Sequence, residues 1–452
     1  AESVLRGQGS CGRCPADFVA RMESVIRHIQ TLPARSDGDW KTLRDALAHS
    51  LDVLTSNVAE IPAALASLEP ARHAAGMAFL LEVLVGAATI PDPQQTFDFV
   101  GPFLVAADEE QVKKASAHMC AVCKWYAQAA VDGGQQARLR SLRPLLSALT
   151  KLRPSAETLT PVHSEFVRVC LKSKAYHLAA RLLDQPICDI ELSDRQTLMT
   201  PECFLCYFYY GAMVRIGMKQ HTQALQLLLV VLTHPASCLS AIQVDAYKKF
   251  TLVSLKVSGE LPNLPMYASH IVQRYAKSPS YAADIAEAFK QGDVGALRRV
   301  VEEKAPAIQA DNNMGLAKQV VESLQRHKVR MLTHTYLTLS LAEIAKEIGL
   351  DESKASDVEQ LVFDMISSGE INARIDASAG NVFFEDDDHD MEPGMVVQIQ
   401  DKLQKIMALA QRISAFEQQV VSCPSYVRKT VALEGGVPGA VAAVGGYDFM
   451  DM

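Results

Sequence analysis

Prolines and glycines cut the first part of this chain into pieces too short for any one element to dominate. Pro33, Pro62, Pro70, Pro91, Gly133 with Gly134, Pro154 and Pro161 recur along it, and each removes a backbone donor or opens a conformation that ends a helix. Between them, from about residue 14 to residue 184, lie segments of roughly 12 to 20 residues with no strand-like alternation. Each is predicted to be a helix. The chain is 49% hydrophobic but only 6% aromatic, weighted to the Leu and Ala that helices use when they pack on helices. Helices of this length on short turns, with no dominant amphipathic pair, bury their apolar faces on successive neighbours, so stacked antiparallel hairpins are predicted, a solenoid without a strict period. The longest apolar stretch, 74–90, contains Glu82 and stops at Pro91; it is predicted to be a buried helix and not a membrane span.

The clearest repeat unit is 203–235. An aromatic-rich helix runs to Ile216, Gly217 makes the turn, Ala224 allows close approach, and a second helix over 225–232 stops before Pro235, a hairpin of tetratricopeptide type. Further helices are expected over 246–257, 266–276, 281–290 and 313–327. The pattern then changes. Residues 335–339 are predicted to be a strand. Ser340 with Glu343 forms a capping box for a helix ending near Gly349, and Ser356 with Glu359 forms a second for a helix ending at Ser368 before Gly369. Ile371, Ala373 and Ile375 alternate onto one face, 376–380 turns, and 381–384 returns as a hairpin wing. This order predicts a winged helix.

Six acidic residues follow within 385–392, and then a helix over 395–422 whose Val396, Ile399, Leu403, Ile406, Ala410 and Ile413 keep 3,4 spacing. So narrow a stripe needs a partner helix. The expected organisation is a flexible start (1–14), a helical-repeat domain (15–199), a second helical part (200–330), the winged helix (331–384), an acidic linker (385–394), the striped helix (395–422) and a disordered tail (423–452).

The charges and motifs exclude several functions. A net charge of −8 attracts neither phosphate backbones nor anionic lipid, so protein partners are expected, with no nucleic acid and no membrane. Winged helices commonly place their second helix in a DNA groove, yet 356–368 holds no Lys, Arg or His, and 331–384 carries nine acidic residues against Lys346, Lys354 and Arg374. Gly7, Gly9 and Gly12 match a dinucleotide fingerprint in letters only, since the strand that must precede it has no room. The C-x-x-C pairs Cys11/Cys14, Cys120/Cys123 and Cys203/Cys206 are far apart, and the last two fall inside predicted helices, where Cys behaves as a small hydrophobe. No H-x-H, H-E-x-x-H, G-x-S-x-G or P-loop occurs. No catalytic residue, cofactor or metal is therefore expected. Ten cysteines without a charged-then-apolar leader or a glycosylation acceptor point to a reducing compartment, cytoplasm or nucleus.

Phe-Leu-Cys-Tyr-Phe-Tyr-Tyr-Gly at 204–211, Ala-Tyr-Lys-Lys-Phe at 246–250, Asp-Asn-Asn-Met-Gly-Leu at 311–316 and Thr-Leu-Ser-Leu at 338–341, set in helical repeats that lead into a winged helix, resemble the PCI-domain family shared by the proteasome lid, the signalosome and translation initiation factor three. The strings are most similar to those of signalosome subunits. The resemblance implies a mainly α fold, a tetratricopeptide-like solenoid followed by a winged-helix subdomain and a C-terminal helix. It also implies a scaffold role in the complex that removes the ubiquitin-like modifier from cullins and so regulates cullin-RING ubiquitin ligases, with the catalytic zinc on another subunit. Implied partners are other PCI-type subunits and the metalloprotease-containing core, with cullin-RING ligases contacted indirectly; a proteasome-lid subunit is the alternative. Two assembly surfaces follow from it: a helix bundle through Val396, Ile399, Leu403, Ile406 and Ile413, and winged-helix packing through Ile371, Ala373, Ile375, Val382 and Phe384.

Overall fold

The computed structural model describes residues 15–32, 37–87, 90–190, 199–349, 355–376, 380–384, 393–424 and 426–428. The chain divides into two compact units, Ala1–Gln291 with Ala296–Ser323, and Gly292–Gly295 with Leu324–Met452.

In the first unit the breakers act as expected, but as starts more than as stops. Pro62, Pro70, Pro93, Pro161 and Pro201 each occupy the first or second position of a helix, where the missing N–H would have had no partner anyway. The helices Pro70–Gly86, Pro93–Ala106, Ser116–Asp132, Gly134–Leu152 and Pro161–Ser173 pack as successive neighbours. Gly134 takes a φ of +87° at the junction of two of them, a conformation that an L side chain resists. The apolar stretch predicted to be buried is the Pro70–Gly86 helix, with Ala74 through Leu81 all inside the core.

Three local features depart from the expectation. Leu51–Ser56, Ile61–Ala66 and Glu109–Lys114 are helices of only 6 residues, shorter than isolated helices can sustain and held by packing. A two-residue parallel pair, Thr158–Leu159 with Asp189–Ile190, stands where no strand was expected; two residues are too few to show a period. Pro102 and Pro144 sit inside helices, so the carbonyls of Asp98 and Arg140, four residues back, lose their usual N–H partner.

The hairpin read from 203–235 is present as Pro201–Gly217 and His221–Thr233, with Ala224 fully buried. Its first helix is apolar nearly all round because it serves two cores: Tyr207 and Val214 belong to the one built from the preceding helices, Leu205 and Ala212 to the one it shares with His221–Thr233 and Ala241–Ser258. The helix expected from residue 266 begins only at His270, and Met266 is 97% exposed in the loop before it. Val294–Glu303 and Ala305–Ala310 were not singled out by the sequence. The boundary between the two units falls within the Met314–Thr333 helix.

The second unit contains the winged helix: strand Thr338–Ser340, helices Leu341–Ile348 and Ala355–Ser367, and strands Ala373–Asp376 and Asn381–Phe384. The last strand lies between the other two and is antiparallel to both. Ser340 caps as predicted: its Oγ accepts from the Glu343 N–H at 3.2 Å, the Ser340 N–H donates to Glu343 Oε2 at 3.1 Å, and Gly349 ends the helix at φ +78°. The second cap is corrected, because Ala355 is already helical and Ser356 lies inside the first turn. The first strand is also shorter than predicted; the N–H groups of Thr335 and Tyr336 donate to the Leu332 carbonyl and finish the preceding helix.

One buried cap titrates. His163 lies entirely inside the first core, where Nδ1 accepts from the Thr160 N–H at 3.0 Å and contacts Thr160 Oγ1 at 2.8 Å. Burial pushes its pKa down to about 4. Because the folded value lies below the unfolded one, near 6.5, the unfolded chain binds the extra proton and stability falls as pH drops from about 6.5 toward 4. A melting series from pH 7 to pH 5 should therefore show a loss that His163→Gln, which keeps an acceptor for the cap but does not titrate, reduces.

Candidate assembly surfaces

The winged helix closes on its own core. Val329, Leu341, Ile344, Ala345, Ile348, Val358, Val362 and Met365 meet Ile371, Val382 and Phe384 from the wing. Strand register pairs Ala373 with Phe384 and Ile375 with Val382, so these side chains share one face, and that face is the inner one. Ile371, Val382 and Phe384 are buried, and Ala373 and Ile375 are half-buried. Ile371, Val382 and Phe384 thus hold the wing to its helices, and of the five residues expected at a partner contact only Ala373 and Ile375 keep part of their surface open. Alternation identified the face correctly, but alternation alone does not say whether a face turns inward or outward.

What the wing shows outward is Arg374, its guanidinium 5.3 Å from the centre of the Phe383 ring. Glu370 fastens the turn before the wing, accepting from Arg326 at 2.8 Å and Arg330 at 3.3 Å. Among the described residues the strands Thr338–Ser340 and Ala373–Asp376 are the outer strands of this sheet, the position at which a neighbour can add a strand. Beside the first edge, Leu337 is 71% exposed and Tyr336 is also open. The sequence reading passed over this pair by absorbing both residues into the strand. On the second helix Asp357, Gln360, Phe363 and Asp364 face solvent with no cation among them, a surface whose sign repels a duplex.

The C-terminal helix runs from Pro393 to Ser422, 30 residues. Of the predicted stripe, Ile399, Leu403, Ile406, Ala410 and Ile413 are brought to the surface of this one helix, all exposed; the side chain of Val396 lies outside the described residues. The stripe is longer than the sequence reading made it. Leu409 joins Ala410 beside it, and the run goes on in steps of three or four through Ile413, Phe416 and Val420, all exposed. Fully burying one such side chain is worth about 1.5–3 kcal/mol, and within the described residues Leu403 and Ile406 still leave 54% and 61% of their surface open.

The sequence strings converge on a polar cluster in the first unit. Lys248 donates to Asp311 at 2.6 Å, Tyr281 donates to the same carboxylate at 2.8 Å, and the Asn313 amide donates to the Tyr281 hydroxyl at 2.8 Å. Alongside, the Lys249 ammonium stands 5.4 Å from the Tyr209 ring centre, and Tyr209 donates to Asp245. Burial pushes the Asp311 carboxyl up, but the hydrogen bonds from Lys248 and Tyr281 outweigh it and hold the group below its ordinary value. Lys248 is raised for the reciprocal reason: desolvation lowers it and Asp311 more than compensates. The cluster ties the helices Pro201–Gly217, Ala241–Ser258 and Tyr281–Gln291 to the turn at 311–313.

Two of the cysteine pairs lie among the described residues. Cys120 and Cys123 are buried, burial pushes the Cys120 thiol up to about 12 and the Cys206 thiol to about 11, and a protonated thiol neither attacks nor ligates. Cys11 and Cys14 lie outside the described residues. Among the described residues no group of three or more His, Cys, Asp and Glu could hold a metal ion, and no helix is long and apolar enough to cross a membrane.

Stacked helix pairs that lead into a winged helix, followed by a long helix with an uncovered apolar stripe, define a PCI-type subunit of a larger assembly. The PCI domain model matches residues 300–386, and the model described as COP9 signalosome complex subunit 3, N-terminal helical repeats, matches residues 37–272. The Drosophila melanogaster protein named COP9 signalosome complex subunit 3 is 30% identical over 427 residues, 91% of this chain and 94% of its own length. The Arabidopsis thaliana protein of the same name is 32% identical over 415 residues, again 91% of this chain and 94% of its own. The chain belongs to the COP9 signalosome complex subunit 3 family.

Asp311→Asn should lower the unfolding free energy by about 2 kcal/mol, the scale of charge-assisted hydrogen bonds, as read by urea denaturation at pH 7. Since the folded pKa of Asp311 lies below its unfolded value, its contribution is present above that unfolded value and is lost as pH falls, so the difference between variant and parent should narrow in acid.

Proposed function

We propose that this chain is a non-catalytic scaffold subunit of the signalosome, the complex that removes the ubiquitin-like modifier from cullins and so regulates cullin-RING ubiquitin ligases. The observation that carries the reading is the uncovered stripe from Ile399 to Val420. An apolar seam of that length on a charged and amide-rich helix is of the kind that joins a helical bundle, and the relatives' name supplies the complex. The same name favours the signalosome over the proteasome lid, whose subunits have the same architecture.

A second contact is assigned to the winged helix, now through its edge strands and the exposed Tyr336 and Leu337 in place of the wing's inner face. A neighbouring PCI-type subunit would add strand to strand along such an edge. The acidic second helix favours protein over nucleic acid there. The metalloprotease-containing core is reached through these shared subunits, cullin-RING ligases are engaged indirectly, and cytoplasm and nucleus are the assigned compartments; subcellular fractionation followed by immunoblotting checks the last point.

Leu403→Asp with Ile406→Asp places two charges in the seam. The double variant should fail to co-purify with the other signalosome subunits while its own melting temperature stays within a few degrees of the parent, because neither side chain contributes to an internal core. Native mass spectrometry of the purified assembly reads the first result, and a thermal melt of the isolated chain reads the second. An intact complex containing the double variant contradicts the bundle assignment, and recovery of the chain in the proteasome lid contradicts the choice of complex.

A further inference from the structure

The seam of the C-terminal helix has a symmetry of its own. About a point between Leu409 and Ala410, apolar residues fall at mirror positions: Ile406 against Ile413, Leu403 against Phe416 and Ile399 against Val420. All of these side chains are exposed. Reversing the direction of the helix therefore leaves the pattern in place. Six steps carry the run from Ile399 to Val420, an average of 3.5 residues, the spacing at which two helices stay face to face by winding gently around each other.

Two charges break into the apolar face, and they obey the same mirror. Lys402 stands three residues after Ile399 and four before Ile406, and Glu417 stands four after Ile413 and three before Val420. Residues three and four apart are neighbours on a helix surface, so each charge lies among the seam side chains and not on the polar side. Both are exposed, and neither has an ion-pair partner among the described residues. Asp401 and Lys405, off the seam, pair with each other at 2.6 Å.

The signs decide what the face accepts. A parallel second copy would set Lys402 against Lys402 and Glu417 against Glu417, like charges that oppose association. An antiparallel copy sets Lys402 of each chain beside Glu417 of the other, twice over, as a two-fold axis requires. A helix of unrelated sequence would need an acid and a base at this same separation, fifteen residues or about 22 Å along the axis, to do as well. A second copy has them by construction.

We infer that a second copy of this chain docks on the seam in antiparallel register, with the two-fold axis between Leu409 and Ala410 and a Lys402–Glu417 ion pair at either end. This pair is the form of the chain on its own. It leaves Val397 and Met407 open beside the seam, so a bundle that covers more of the helix displaces it. Pairing belongs to the isolated chain and the bundle to the complete complex, so either reading can fail without the other.

Sedimentation velocity of the purified full-length chain over a range of concentrations is the test, and a reversible monomer–dimer equilibrium is expected. Lys402→Glu alone, or Glu417→Lys alone, sets like charges together at both ends of the pair and should raise the dissociation constant at least about tenfold. Lys402→Glu with Glu417→Lys in the same chain exchanges the charges, restores the match and should return the constant close to the parent value. An equimolar mixture of the two single variants should dimerise as well, which also shows that neither has lost its fold. A parent chain that stays monomeric up to about 100 μM, well above the micromolar constants of ordinary transient pairs, overturns the pairing, and so does one that forms trimers or larger species. It is equally overturned if the single variants dimerise as the parent does, the result that parallel pairing or another surface gives, or if the double exchange fails to restore the dimer.

Discussion

The helices of the first unit, one to five turns long, do not persist alone in water, and the packing of that unit follows from how each finds a surface on which to bury itself. Nucleating a helix fixes several residues for a single hydrogen bond, and only tertiary burial offsets that loss. In the first unit the solution is sequential, each helix covering the last and being covered by the next. The Pro201–Gly217 helix shows the arrangement best, with one side in the core built before it and the other in the core built after it. A change there disturbs two cores, whereas a change at a six-residue helix such as Glu109–Lys114 is confined to one.

Much of this was legible in the residues because the signals are local. Breakers, caps and periodicity concern neighbours within a few positions, so the long helices, the Ser340 cap and the hairpin around Gly217 could be read directly. Contacts between distant residues could not. Lys248 and Asp311 stand 63 positions apart, and nothing near either one announces the other. The prolines at 102 and 144 belong with them: a proline inside a helix is disfavoured by local rules, and the packing on neighbouring helices that retains these two is invisible in one segment.

The two candidate assembly surfaces separate these cases clearly. In the C-terminal helix the apolar positions have no internal claim on them, so the pattern in the sequence is the pattern on the surface. In the wing the same kind of reasoning chose Ile371, Val382 and Phe384, and tertiary structure had already taken them. Apolar residues at regular spacing mark a face that will be covered. Whether the cover is the chain itself or another protein depends on how much core lies within reach, and a three-stranded wing beside two helices has enough, whereas a helix with no described neighbour does not.

The uncovered seam also bears on how much of this chain a cell can hold. A subunit made without its partners displays a row of aliphatic and aromatic side chains, the kind of surface that drives aggregation and is read by chaperones and proteases. Association hides the row and stabilises the chain by mass action. On the proposed bundle reading the seam is a stoichiometry gauge: copies within a complex would be concealed from quality control, surplus copies would not, and the standing amount of the chain would follow the amount of its partners more than its own rate of synthesis.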